Sequence, residues 1–175
     1  MQSSLLIKVF VCGEGGVGKT TLIERLITNK FNSNTLMTIG VQHSLYKVEK
    51  PQGKKVTLQI WDLGGENRFR VIIPLYIRGS SAGIIAFDES RYSTFKNLPQ
   101  WLEIIKKEID KGTPLILIST KIDLVQNKGY IDDELNELMK KYEITEFIRT
   151  SAKLGSNIDA PFKNIVKILE KSGKI

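Results

Sequence analysis

Apolar residues along this chain fall into short blocks, separated by stretches in which they recur every three or four positions. Leu5–Val11 is a continuous apolar run broken only by Lys8, which predicts a buried strand. Gly18–Thr28 follows with Leu22 and Leu26 at helical spacing. Val41–Val48 and Val56–Trp61 read as a strand pair joined by the turn "EKPQGKK". Ala82–Phe87 and Leu115–Ile118 are short and apolar throughout, as central parallel strands are. Leu98, Leu102, Ile105 and Ile109 make a helical stripe over Phe95–Ile109, and Asp132–Tyr142 is a second such segment. Glu146–Ile148 is a weak last strand. Pro161–Glu170 lies in a final helix, with Phe162, Ile165, Val166 and Leu169 on one side. Strands alternating with helices in this order predict an α/β fold, a mostly parallel sheet with helices on both faces. There is no repeat, low-complexity tract or linker, and 175 residues suit one domain, so residues 1–175 are read as a single unit.

Composition changes this picture little. Hydrophobic residues at 41% and charged residues at 26% are ordinary for a soluble globular protein. The net charge of +7 would suit an anionic partner, a nucleic acid or an acidic membrane, but no basic run concentrates it. The tightest grouping, Lys163, Lys167 and Lys171, has i, i+4 spacing and reads as a solvated helix face. Stacking aromatics interleaved with basic residues are missing, which argues against a nucleic-acid module. The one cysteine, Cys12, sits in an apolar run as buried filler, so no disulfide forms within the chain and a reducing, cytoplasmic setting fits. The opening apolar run is too short to span a bilayer and enters a glycine loop directly, so it is not a signal peptide. Neither a glycine at position 2 nor a C-terminal cysteine offers a lipidation site, so membrane association is expected only by indirect recruitment.

Chemistry enters at "GEGGVGKT", residues 13–20, which satisfies G-x-x-x-x-G-K-[ST] between a predicted strand and a predicted helix. Gly13, Gly15, Gly16 and Gly18 let the backbone curl so that successive N–H groups face phosphate oxygens. The helix starting near Gly18 adds its positive dipole end. Lys19 supplies charge for the β- and γ-phosphates, and Thr20 a hydroxyl ligand for Mg²⁺. Kinases, ATPases and GTPases all carry such a loop, so the base must be read elsewhere. "TKID", residues 120–123, follows the strand Leu115–Ser119. The carboxylate of Asp123 can accept from guanine N1–H and N2–H₂, a donor pair adenine lacks. Lys121 can lie along the ring. In "TSAK", residues 150–153, the Ala152 N–H can meet guanine O6, Ser151 can brace the loop and Lys153 can pack over the base.

With these residues in view the chain resembles a small GTPase of the Ras superfamily, the Rab branch most of all. The likeness rests on "GEGGVGKT", "TIGV" at 38–41, "LQIWDLGGENRF" at 58–69, "YIRGSSAGIIAFD" at 76–88, "TKID" and "TSAK", and runs from Leu5 to about Leu169. It implies the Ras-like P-loop NTPase fold, a six-stranded sheet with five helices and the second strand antiparallel. It also implies that Val17 and Thr21 join the phosphate-loop residues in holding nucleotide, with Phe31 and Thr120 nearer the base. Thr38 would ligate Mg²⁺ and contact the γ-phosphate, Asp62 would hold Mg²⁺ through a water, and the Gly65 N–H would meet the γ-phosphate. Residues 31–40 and 64–78 would be switch segments, read in the two nucleotide states by effectors, exchange factors and GTPase-activating proteins. The resemblance suggests a monomeric switch in signalling or trafficking.

The sequence departs from the family in places. Glu66 stands where a water-positioning glutamine is expected, and an ionised carboxylate accepts hydrogen bonds but donates none. Two outcomes follow: impaired hydrolysis with a long-lived GTP state, at its limit a GTP-locked scaffold that does not hydrolyse, or slow hydrolysis around Lys19, Thr38, Gly65 and Glu66 in which an outward rotamer lets Glu66 or a partner residue orient the water. Gly64 makes an Arf-like "DLGG", with a looser second switch expected from the double glycine. Gly15 leaves space for a partner's arginine, and no arginine of the chain has a motif-based claim to act in its place. Thr120 replaces a customary asparagine, losing an amide that ties the base loop to the phosphate loop, so affinity is expected to fall modestly. Thr35 replaces a tyrosine that covers the nucleotide in Ras, and His43 a phenylalanine of an aromatic effector patch otherwise retained as Trp61 and Tyr76.

Overall fold

The computed structural model describes residues 5–50, 55–127 and 129–175. Six strands, β1 (Leu5–Gly13), β2 (Val41–Glu49), β3 (Lys55–Leu63), β4 (Ala82–Asp88), β5 (Leu115–Thr120) and β6 (Glu146–Arg149), form one sheet in the order β2-β3-β1-β4-β5-β6. Only β2 runs antiparallel, paired to β3 from Val41↔Leu63 to Glu49↔Lys55. The other neighbours are parallel, which places the ends of β1, β3, β4, β5 and β6 along one edge of the sheet. In an open α/β sheet, ligands bind at this carboxyl edge. Residues 51–54 of the expected turn lie outside the described residues.

Alternation along each strand sorts the core into two layers. From β1, Val9 and Val11 face Leu22 of α1 (Lys19–Thr28) and Phe162, Ile165 and Leu169 of α6 (Ala160–Lys171). Phe10 and Cys12 point the other way, against Ile73 and Ile77 of α2 (Ile73–Ile77) and Trp101, Leu102 and Ile105 of α4 (Leu98–Glu108). Leu135 of α5 (Asp132–Lys141) completes that second layer. Burial of Cys12 raises its thiol pKa to about 12, so it packs as an inert apolar group. Lys163, Lys167 and Lys171 lie on the exposed face of α6, Lys163 paired with Asp159, as a solvated face would.

The helical stripe expected over Phe95–Ile109 is two helices, α3 (Tyr92–Lys96) and α4, meeting at Asn97. Pro99 sits in the first turn of α4, where its missing N–H costs no hydrogen bond but bars one continuous helix. The helix count is therefore six among the described residues, one more than the resemblance implies. The five-residue α2 and two short 3₁₀ turns, Asn67–Phe69 and Ile122–Leu124, are too brief to leave a period in the sequence. Among the described residues, no helix is long and apolar enough to cross a membrane.

Candidate functional site

Every loop at the carboxyl edge that carries a motif opens onto one cavity of about 520 Å³, within the range of small-molecule sites. Its walls include Gly15, Gly16, Gly18, Lys19, Thr20 and Thr21 from the β1–α1 loop and the start of α1. Phe31, Thr35, Thr38 and Gly65 come from the two predicted switch segments. Thr120, Lys121, Asp123, Ala152 and Lys153 close the other end. Gly13, Val17, Asp62, Glu66 and Ser151 stand outside this lining, and the side chains of Asp62, Glu66 and Ser151 act, where they act, through neighbours. Met37, Leu36, Asn32 and Leu124 also line it. Sequence reasoning missed these four, since nothing in their type or spacing marks them.

Gly18 adopts φ 98°, open to glycine but strained for other residues, and so starts α1 with its free N–H groups toward the cavity. Gly13, at φ 139°, has a further reason to be glycine: a Cβ there would lie 2.1 Å from the Ala86 carbonyl oxygen of β4. Gly15 has no positive φ, so the curl of the loop does not depend on it. A Cβ on Gly15 would lie 3.2 Å from the Met37 methyl, so the space expected there for a partner's arginine is partly filled by a flexible side chain. Lys19 is buried, and its Nζ donates to the carbonyls of Gly13 at 2.9 Å and Glu14 at 3.0 Å. Burial lowers its pKa, against the pull of Asp62 and other acidic neighbours.

Thr20 Oγ1 donates to Asp62 Oδ2 at 2.5 Å and lies 2.6 Å from Thr38 Oγ1, whose hydroxyl can then donate to it. Two hydroxyls and one carboxylate thus converge. Asp62 Oδ1 is buried without a partner. Burial raises the Asp62 pKa even against the Thr20 hydrogen bond and the Lys19 charge. An orphaned, desolvated carboxylate oxygen beside two hydroxyls suits Mg²⁺, which takes few protein oxygens and fills its shell with water and phosphate. Among the described residues no cluster of three or more His, Cys, Asp or Glu would offer a full protein cage to another metal.

At the far end, Ser151 Oγ donates to Asp123 Oδ1 at 2.5 Å, and the Leu154 N–H donates to Ser151 Oγ at 3.1 Å. One carboxylate oxygen is fixed and the other is left to accept. Thr120 corrects the expectation of a lost tie. Its hydroxyl lies 2.5 Å from the Val17 carbonyl and 3.1 Å from that of Phe87, so it links the base loop to the phosphate loop without an amide. Lys121 adopts φ 57°, and its Nζ reaches Asp88 at 2.7 Å and the Gly16 carbonyl at 3.0 Å.

The expectation of a loose second switch is corrected as well. Gly64 N–H donates to the Gly40 carbonyl at 2.8 Å, and a Cβ on Gly64 would lie 2.8 Å from that oxygen and 2.9 Å from the Thr38 carbonyl. Space, not freedom, requires glycine there. Gly65 lies against the phosphate loop, its carbonyl accepting from the Gly15 N–H at 3.1 Å. Glu66 turns out of the cavity and pairs with Arg68 at 2.7 Å. His43, Trp61 and Tyr76 do form a patch, with ring centroids 5.0 and 5.5 Å apart.

Comparison with known proteins agrees with this arrangement. The model of the Ras family matches residues 8–171. The chain is 34% identical to the Ras-related protein Rab-13 of Mesocricetus auratus over 96% of its own length and 82% of that protein's. It is 32% identical to the Ras-related protein Rab-11A of Dictyostelium discoideum over 92% of its own length and 74% of that protein's. It is 33% identical to the Ras-related protein rab-11.1 of Caenorhabditis elegans over 95% and 78% respectively.

Proposed function

The chain belongs to the Ras family, on its Rab side, as a small GTPase and molecular switch, and from that premise we propose that it hydrolyses GTP slowly because Glu66 is held away from the reacting phosphate. The observation that carries this reading is the Glu66–Arg68 pair at 2.7 Å, which leaves no side chain of residue 66 in the cavity.

GTP would lie with its base against Asp123 and Ala152 and its phosphates against Lys19 and α1. Asp123 accepts from the guanine donors, Ser151 fixing its orientation. Ala152 N–H meets guanine O6, while Lys121, Lys153 and Phe31 flank the ring. Lys19 leaves the Gly13 and Glu14 carbonyls it now holds and neutralises the β- and γ-phosphates. Thr20, Thr38 and, through a water, Asp62 would hold Mg²⁺, which supplies charge neutralisation at the phosphates. Thr38 and the Gly65 N–H sense the γ-phosphate. Loss of that group removes both contacts and relaxes residues 31–40 and 64–78. Effectors, exchange factors and GTPase-activating proteins would read those segments on a cytoplasmic monomer, with no role for nucleic acid.

The same ion pair favours a second reading, a GTP-locked scaffold. Single-turnover GTP hydrolysis in Mg²⁺, native chain against Glu66→Gln, tests both. We expect slow phosphate release from the native chain and about tenfold faster release from the variant, about 1.4 kcal/mol off the barrier. No release from the native chain over hours favours the scaffold. Brisk native release with no gain from glutamine refutes the assignment of Glu66 as the brake.

A further inference from the structure

The turn after β4 places an arginine on the outer wall of the phosphate loop, where no motif asks for one. Asp88 ends β4, fully buried, and its Oδ1 accepts from the Ser90 N–H at 3.0 Å and from the Ser90 hydroxyl. The Arg91 N–H donates to the Asp88 carbonyl at 2.9 Å, which closes the turn. Arg91 then folds back on it. Its Nε donates to Asp88 Oδ2 at 3.0 Å, and its Nη2 to the Gly15 carbonyl at 3.3 Å. Lys121 shares the same Oδ2 at 2.7 Å and donates to the next carbonyl, that of Gly16, at 3.0 Å. Burial would raise the Asp88 pKa, but Lys121, Ser90 and Arg91 together hold it below the usual carboxylate range.

Two cations on one buried carboxylate therefore grip two successive carbonyls of the loop. In a planar trans peptide the carbonyl of one residue and the N–H of the next point in opposite directions. A Gly15 carbonyl drawn outward to Arg91 turns the Gly16 N–H inward, and a Gly16 carbonyl drawn outward to Lys121 does the same for the Val17 N–H. Those inward N–H groups are the donors a diphosphate needs. Arg91 does not line the cavity, so it is not placed to touch the reacting phosphate.

We propose that Arg91, carried by Asp88, is a positioning residue that presets the phosphate loop for the β-phosphate. The proposal rests on the reading of the cavity as a guanine-nucleotide site. The forked Arg91 guanidinium spans the two acceptors with two nitrogens, Nε on the Asp88 carboxylate and Nη2 on the Gly15 carbonyl, whereas a lysine at this position would have to serve both with one nitrogen, as Lys121 does from its own side.

The test measures GDP and GMP affinities of the native chain, Arg91→Ala and Arg91→Lys by competition with a fluorescent GDP. Loss of the fork is expected to weaken GDP about tenfold, about 1.4 kcal/mol, and GMP less than twofold, because GMP has no β-phosphate. Arg91→Lys keeps a cation beside Asp88 and is expected to recover less than half of the loss on a logarithmic scale. It also carries the comparison should Arg91→Ala fold poorly. Unchanged GDP affinity, equal losses of GDP and GMP, or full rescue by lysine would each overturn the proposal. A native chain that binds neither nucleotide would overturn the reading of the cavity itself, a result distinct from any variant effect.

Discussion

The two ends of the cavity are built on opposite plans. The base end is a lattice of the chain's own hydrogen bonds. Thr150 N–H and hydroxyl both donate to the Ser119 carbonyl, Ser151 and Ser156 exchange backbone bonds, and Ser151 fixes Asp123. The phosphate end borrows its order. The Thr38 hydroxyl is bonded to Thr20, Asp62 keeps an orphaned oxygen, and Leu36, Met37 and Ile39 stand exposed beside it. A site that must recognise one base in every state can be rigid. A site that must report a phosphate needs contacts that only the ligand and its cation complete, and low local stability follows from that.

The comparison breaks most visibly at the base. Asp123→Asn is expected to move preference from GDP to XDP by about 10³-fold or more, since a fixed acceptor becomes a donor facing guanine's donors. Competition of GDP against XDP measures this. An unchanged ratio would remove Asp123 from the base site and leave the rigid lattice without a purpose.

At the other end, Asp62→Asn is expected to weaken Mg²⁺ about 10–100-fold, the range for losing a partner that acts through a bound water. The sign at the level of stability is opposite. The folded-state pKa of Asp62 lies above 3.8, raised by burial. Without metal the folded chain therefore keeps a proton that the unfolded chain has released, so stability falls as pH rises through that window. Asparagine removes the slope, and unfolding in a chelator across mildly acidic pH reads it. Mg²⁺ binding should weaken as pH drops into the same window, because the proton competes for the carboxylate. A metal-free variant less stable than the native chain at neutral pH would show that Asp62 is structural rather than held for the cation.

Gly64→Ala sharpens the comparison within the switch end. Its Cβ would meet two backbone oxygens under 3.0 Å away, and backbone cannot yield as a side chain does. Overpacking of this kind costs about 1–3 kcal/mol, or roughly 2–4 °C in Tm per kcal/mol for a chain of this size. Gly79, at φ +68° with nothing within 4 Å of its Cβ position, is the control. Alanine there meets only the left-handed backbone penalty, about 1 kcal/mol. Equal Tm losses would mean that the junction of Gly64 with Gly40 and Thr38 is soft.

What was legible in the sequence follows the same division. The strands and the phosphate- and base-loop residues could be read because period, glycine spacing and the base tetrapeptides are local signals, whereas Phe31, Thr38, Gly65 and the antiparallel second strand came through the resemblance to the Ras superfamily. The break at Asn97 could not, because the apolar stripe continues in phase across it and only Pro99 hints at a stop. The tightness at Gly64 depends on Gly40 and Thr38, over twenty residues away in the chain, and a double glycine looks like looseness until they are in place. Arg91 at the Gly15 carbonyl is a contact across 76 positions and leaves no spacing rule to find.

Thr120 carries the smallest expected effect and the closest test of how the two ends are joined. Its hydroxyl has one proton and two carbonyls within reach, Val17 at 2.5 Å and Phe87 at 3.1 Å. The shorter bond spans from the base strand to the phosphate loop. Thr120→Val keeps the branched shape and removes the donor, leaving the Val17 carbonyl short of a partner. A lost hydrogen bond of this kind is worth about 0.5–1.5 kcal/mol, so GDP dissociation should quicken about two- to tenfold. Thr120→Asn restores the customary amide. If the hydroxyl already makes the tie, asparagine gains nothing and, being longer than the threonine whose hydroxyl sits 2.5 Å from the Val17 carbonyl, slightly quickens release. If asparagine instead slows GDP release tenfold, the hydroxyl is a poor substitute, and the rigid base end and the borrowed order of the phosphate end are coupled more weakly here than the 2.5 Å contact implies.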